Sequence, residues 1–116
     1  HLLVACNAAA QLYAAAVPRL DFAEPLADAG LVPGGSKKNL RYAESWTRFA
    51  AAIRPSERQL LADAQTSGGL LIAVAPSDEA RLLAELERRG APARARVGEL
   101  VAGNAGTIEV VASPGR

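Results

Sequence analysis

The sequence has no methionine, one cysteine, one histidine, one tryptophan, two tyrosines and two phenylalanines. Each scarcity excludes something. One thiol leaves no internal disulfide and no cysteine-rich metal cluster. One histidine, His1, removes the usual His-rich zinc sites. So few aromatic rings leave alanine, leucine and valine to fill the interior. No apolar run approaches the roughly 18 residues of a membrane span. Neither sign of charge dominates: 13 Lys and Arg stand against 12 Asp and Glu, a net charge of +1. Such a balance carries no electrostatic footprint for nucleic acid or an anionic membrane. The standard phosphate fingerprints, GxGxxG and GxxxxGK followed by Ser or Thr, are missing. These absences suit a cytoplasmic protein. The opening "HLLVAC" is already apolar and helical, with no charged stretch before it, so it does not read as a signal peptide. A chain opening in mid-element without an initiator is expected to be a piece of a longer protein.

What is present suits one domain: 116 residues, half of them hydrophobic. Residues 1–9 read as the last turns of a helix, with Leu2, Leu3 and Cys6 on one side. Residues 10–17 form a short apolar strand ending at Pro18. Asp21 and Glu24 have capping-box spacing, with Pro25 as an alternative first helical residue, and the helix stops at Gly30. Ser36 is placed to cap a helix to about Ser45. Residues 46–53 read as a strand. Ser56 and Gln59 form a second capping box. Residues 70–75, "LLIAVA", are a continuous apolar run that predicts a strand buried on both faces. The helix over 77–89 has Ser77 as cap, Leu82, Leu83 and Leu86 as apolar stripe, an Arg81–Glu85 pair and Gly90 as stop. Residues 94–100 and 106–111 alternate as strands, and "AGNAG" between them suits a hairpin turn. The order α-β-α-α-β-α-β-α-β-β predicts an α+β fold, a mixed β-sheet covered by helices.

Two glycine-rich stretches stand out. "PGGSKKNLR", residues 33–41, places Gly34, Gly35, Ser36 and Lys37 at a helix start, with Lys38 and Arg41 beside them. Helix N-termini attract anions, although a turn followed by a solvated basic face explains the pattern equally well. "DAQTSGGLL", residues 63–71, places Gln65, Thr66, Ser67, Gly68 and Gly69 before an apolar run. Its backbone N–H groups and hydroxyls suit a concave anion site, and a tight turn feeding a strand is the alternative. Cys6 lies among apolar residues without a basic neighbour, which predicts a small buried hydrophobe. Trp46, Tyr42 and Phe49 are expected to pack.

In this order and at this separation, "AGLVPGGSKKNLRY" and "DAQTSGGLLIAV" resemble the C-terminal domain of selenophosphate synthetase (selenide, water dikinase). "RVGEL" followed by "GTIEVV" resembles that family's ending, and the opening "HL" resembles the end of its Gly-His-Leu segment. "TSGGLL" alone is shared with the wider superfamily of aminoimidazole ribonucleotide synthetase relatives. The Pro-Gly-Gly segment with basic residues and Asn resembles the selenium branch. The resemblance implies a parent enzyme converting ATP, selenide and water into selenophosphate, AMP and orthophosphate with magnesium. It implies that the reactive cysteine or selenocysteine, its lysine and most nucleotide and metal carboxylates lie in an N-terminal domain that also carries most of the homodimer contact. Residues 1–116 are then a single C-terminal domain whose partners are its own N-terminal domain, a second parent subunit and small-molecule substrates. No catalytic residue and no tightly bound Mg2+ or ATP is expected in this stretch, and Cys6 does not match the reactive position. Ala64 departs from the family, which usually has proline there. Gly34, Gly35, Ser36, Lys37, Gln65, Thr66, Ser67, Gly68 and Gly69 are the residues expected to face the cleft between the domains, toward a phosphate-bearing ligand or toward the other domain. Another superfamily member, such as a purine-pathway synthetase, and a non-catalytic interaction module remain as alternatives.

Overall fold

The computed structural model describes residues 1–65 and 68–115. Its elements are α1 (Leu2–Ala5), β1 (Ala9–Tyr13), α2 (Ala23–Asp28), α3 (Gly34–Ala43), β2 (Thr47–Phe49), α4 (Pro55–Leu61), α5 (Pro76–Arg88), β3 (Gly98–Val101) and β4 (Ile108–Val111), with a 3-10 turn at Ala14–Ala16 after β1. The strands form a mixed sheet in the order β2-β4-β1-β3. β1 runs parallel to β4 and antiparallel to β3, and β2 runs parallel to β4. This is the α+β architecture that the sequence predicts.

Alternation along the strands separates two faces. Leu12, Phe49, Ile108 and Val110 belong to the apolar face, and Ala14, Ile53 and Val110 form the buried cluster there, with Leu61 packed against it. Arg48, Glu109, Gln11 and Glu99 are register partners across all four strands, a polar row on the opposite face. Gln11 Nε2 donates to Glu109 Oε2 at 3.3 Å. β1 leaves Gly98 no room for a side chain: a Cβ there would overlap the Gln11 carbonyl oxygen and lie 3.2 Å from Leu12 Cα. The helix stops at Gly30 and Gly90 have φ of +79° and +69°, values that L side chains rarely adopt.

Several expectations are corrected. Residues 70–75 are not a strand, and they are exposed: Leu70 retains 90% and Leu71 72% of its accessible surface. β1 already has β3 on one side and β4 on the other, so no central place is left for this run. Its apolarity signals a need for cover without saying what supplies it. β3 and β4 are not a hairpin, because β1 lies between them. The connection crosses β1 at Ala9, where a Cβ on Gly103 would sit 3.0 Å from the Ala9 Cβ.

The caps also differ. α4 and α5 start at Pro55 and Pro76, with Arg54 and Ala75 as N-caps, and α3 starts directly after Pro33. Proline's fixed φ sets a helix start ahead of the serines that follow it. Ser36, Ser56 and Ser77 therefore lie inside first turns. The capping interaction of α4 is the Arg54 N–H donating to Glu57 Oε2 at 3.1 Å, in place of Ser56 with Gln59. α2 has Phe22 as N-cap, and Pro25 is its third residue. Arg81 pairs with Asp78 at 2.8 Å, while Glu85 is taken by Arg88 and Arg89, both at 2.6 Å. Strands are shorter than expected: the first ends at Tyr13, the second at Phe49, and the third begins at Gly98. In α1 only Leu3 is buried. Cys6 is exposed, not buried, its Sγ 3.7 Å from the Leu3 carbonyl oxygen. Tyr42 and Trp46 are also exposed and pack edge-to-face on each other at 6.0 Å.

Candidate functional site

The two glycine-rich stretches meet where α3 begins and α4 ends. Gly34, Gly35 and Ser36 form the first turn of α3. Ser36 is fully buried, and its hydroxyl donates to Asp63 Oδ1. The Ser36 Oγ itself accepts the Ala64 N–H at 3.4 Å. The other carboxylate oxygen of Asp63 accepts from Gln65 Nε2 at 2.6 Å. Asn39, one turn along α3, donates from Nδ2 to the Ala62 carbonyl oxygen at 3.2 Å. A Cβ on Gly35 would lie 3.8 Å from the Ala64 Cβ, an ordinary contact.

The structure thus brings Gly35 and Ser36 against Asp63 and Ala64. Gly34 and Gly69 have open space where a Cβ would stand, and a Cβ on Gly68 would crowd Gln65 Cβ at 3.3 Å. Lys37 and Lys38 are exposed, and with Arg41 they make no ion pair among the described residues. Thr66 and Ser67 lie outside the described residues. Asp63 and Asn39 are the participants whose side-chain roles sequence reasoning missed. Ala64 keeps an N–H that a proline would lack, and Ser36 uses it.

A second polar cluster joins α2 to α4 and was not anticipated. Arg54 pairs with Glu24 and with Asp28, the latter at 3.1 Å. Arg19 Nη2 donates to the Ala14 carbonyl oxygen at 2.6 Å and Nη1 approaches Glu57 Oε1 at 3.5 Å. The Arg54 backbone N–H, and then the Arg19 and Arg54 guanidiniums, hold the Glu57 carboxyl below the usual carboxylate range despite the opposing effect of burial. Arg19, Glu24 and Glu57 border an open depression of about 470 Å³ with Ala15, Ala16, Val17 and Pro18. Its cations are already paired with acids, so the cluster reads as a helix-to-helix tie.

Chemically, the α3 start offers the N–H groups of a helix first turn and lysine charge, which suit a phosphate. Asp63 is engaged by Ser36 and Gln65, and no group of three or more His, Cys, Asp or Glu among the described residues could hold a metal. No helix among the described residues is long and apolar enough to cross a membrane.

Residues 4–111 match the family model described as AIR synthase related protein, C-terminal domain. The chain is 42% identical over 101 residues to a selenide, water dikinase of Pelobacter propionicus, covering 87% of this chain and 29% of that protein. It is 37% identical over 114 residues to one of Colwellia psychrerythraea, covering 96% of this chain and 32% of that protein. With one of Myxococcus xanthus the identity is 38% over 111 residues, covering 96% and 31%. The chain therefore spans about three-tenths of the length of these curated relatives.

Proposed function

Because the chain belongs to the AIR synthase related protein, C-terminal domain family, we propose that it serves as the C-terminal domain of a cytoplasmic selenophosphate synthetase. The parent makes selenophosphate, AMP and orthophosphate from selenide, ATP and water. The observation that carries this reading is the meeting of the α3 start with the stretch leaving α4, inside a chain similar to selenide, water dikinases over most of its length. Gly34, Gly35, Ser36, Lys37, Gln65, Thr66, Ser67, Gly68 and Gly69 then border the cleft toward the N-terminal domain. The glycines among them permit close approach, Lys37 adds a charge-assisted contact for a phosphate-bearing ligand, and buried Ser36 acts from within the chain. Magnesium and most of the ATP contacts then belong to the N-terminal domain. The exposed run at residues 70–75 is the natural surface for that domain to cover. The parent is a homodimer whose main contact lies outside this stretch.

The test is AMP formation by the full-length parent. Selenide-dependent AMP is the expected result. ATP cleavage that ignores selenide would replace this reading with another superfamily activity, such as a purine-pathway synthetase. Gly68→Val in the parent is expected to damage turnover far more than folding, since its side chain meets Gln65 and blocks close approach. Normal turnover in that variant would leave Gly68 as a turn residue only.

A further inference from the structure

We infer that Ser36 and Asp63 are positioning residues, a clasp between a buried hydroxyl and a half-buried carboxylate that fixes where the chain leaves α4 and so holds residues 62–65 toward the reacting phosphates. The inference rests on the function proposed above and goes beyond it by naming side chains that act through others. Four consecutive residues are each held by a directional bond. Asn39 holds the Ala62 carbonyl, Ser36 holds both the Asp63 carboxylate and the Ala64 N–H, and Asp63 holds the Gln65 amide.

A helix contact alone does not require this. An enclosed hydroxyl has a desolvation cost that alanine avoids. Ser36 nevertheless is fully buried, and it uses its oxygen as donor and acceptor at once. Hydrogen bonds fix orientation where apolar contacts fix only proximity. The ties stop at Gln65, next to the segment that the proposed function places at the cleft. Exposed Lys37, beside Ser36 in the first turn of α3, shares the same frame.

The experiment uses the full-length enzyme and measures kcat, the KM for ATP and the thermal midpoint for Ser36→Ala, Asp63→Ala and Asp63→Asn. Glu57→Gln, in the α2–α4 tie, serves as a control. Misplacement of positioned groups slows chemistry strongly, so Asp63→Ala and Ser36→Ala are expected to lower kcat by about tenfold or more. Their KM for ATP should move less than about threefold, because most nucleotide contacts lie elsewhere. Asp63→Asn should recover part of the loss, since its carbonyl oxygen still accepts the Ser36 hydroxyl. Glu57→Gln should lower the midpoint and leave kcat unchanged. If Asp63→Ala fails to fold, Ser36→Ala and Asp63→Asn still decide the matter. A kcat near wild type in folded Ser36→Ala and Asp63→Asn would overturn the clasp alone. A wild-type parent without selenide-dependent AMP formation would overturn the functional reading and the clasp with it.

Discussion

Residues 14–65 and residues 68–91 are held in opposite ways. In the first region α2, α3 and α4 are cross-tied by Arg19, Glu24, Asp28, Arg54 and Glu57 on one side and by Ser36, Asn39 and Asp63 on the other. In the second, the ion pairs of α5 are mostly internal, Arg81 with Asp78 and Glu85 with Arg88 and Arg89. Its links outward are Arg94 with Glu87 at 2.8 Å and the longer Arg96–Glu79 contact at 3.8 Å. The apolar run before α5 is exposed. The difference teaches that polar ties link the helices of the first region to one another, although Leu20, Phe22 and Leu31 there are exposed, whereas the second carries a continuous apolar run that its own elements leave open. Exposed ion pairs contribute little to holding a helix in place, so cover for residues 70–75 matters more than any of them.

The largest expected effect is on activity. The isolated chain should form no AMP from ATP and selenide, because positioning and electrostatic stabilisation come mainly from the N-terminal domain proposed above. AMP above a blank, measured by chromatography, would give this region a catalytic role of its own.

Next comes the sheet beneath both regions. Gly98→Val should separate β1 from β3 and cost about 3 kcal/mol, since the new side chain overlaps the Gln11 carbonyl. Chemical denaturation of the chain checks it, and a loss well under 1 kcal/mol would show that β3 can shift freely.

A smaller effect separates the regions directly. The isolated chain should associate at high concentration through its exposed run, and Ile72→Asp should restore a monomer in sedimentation with little change in stability. Association unaffected by Ile72→Asp would place the sticky surface elsewhere.

The smallest effect lies in the cross-tied region. Glu57→Gln should cost about 1 kcal/mol near neutral pH through the weakened link to the Arg54 N–H. The folded Glu57 carboxyl is held below its usual range, so its contribution is full above the unfolded-state pKa and is lost as pH falls through the folded value. The variant and the wild type should therefore converge in acid. A difference that persists in acid would assign the loss to packing.

Much of the fold was legible because it rests on local signals. Gly30 and Gly90 mark true helix ends, the stripe of Leu82, Leu83 and Leu86 lies on a real helix, and "GTIEVV" contains a real strand. The errors arose where the decisive partner is distant in sequence. Nothing near "AGNAG" reveals that β1 inserts between β3 and β4. The serines looked like caps, whereas the prolines ahead of them set the helix starts. At the candidate site, the glycines were visible as glycines. Asp63 was not, since its role depends on Ser36, 27 residues earlier. Cys6 looked buried from its neighbours' apolarity, yet it lies on the surface.

The contrast between the two regions is tested most directly by amide hydrogen exchange, comparing the dilute isolated chain with the full-length enzyme. Residues 70–75 should exchange rapidly in the isolated chain and become strongly protected in the enzyme, while α3 and α4 are protected in both. Equal exchange of residues 70–75 in the two forms would contradict the account, because it would mean that the rest of the enzyme does not cover this surface.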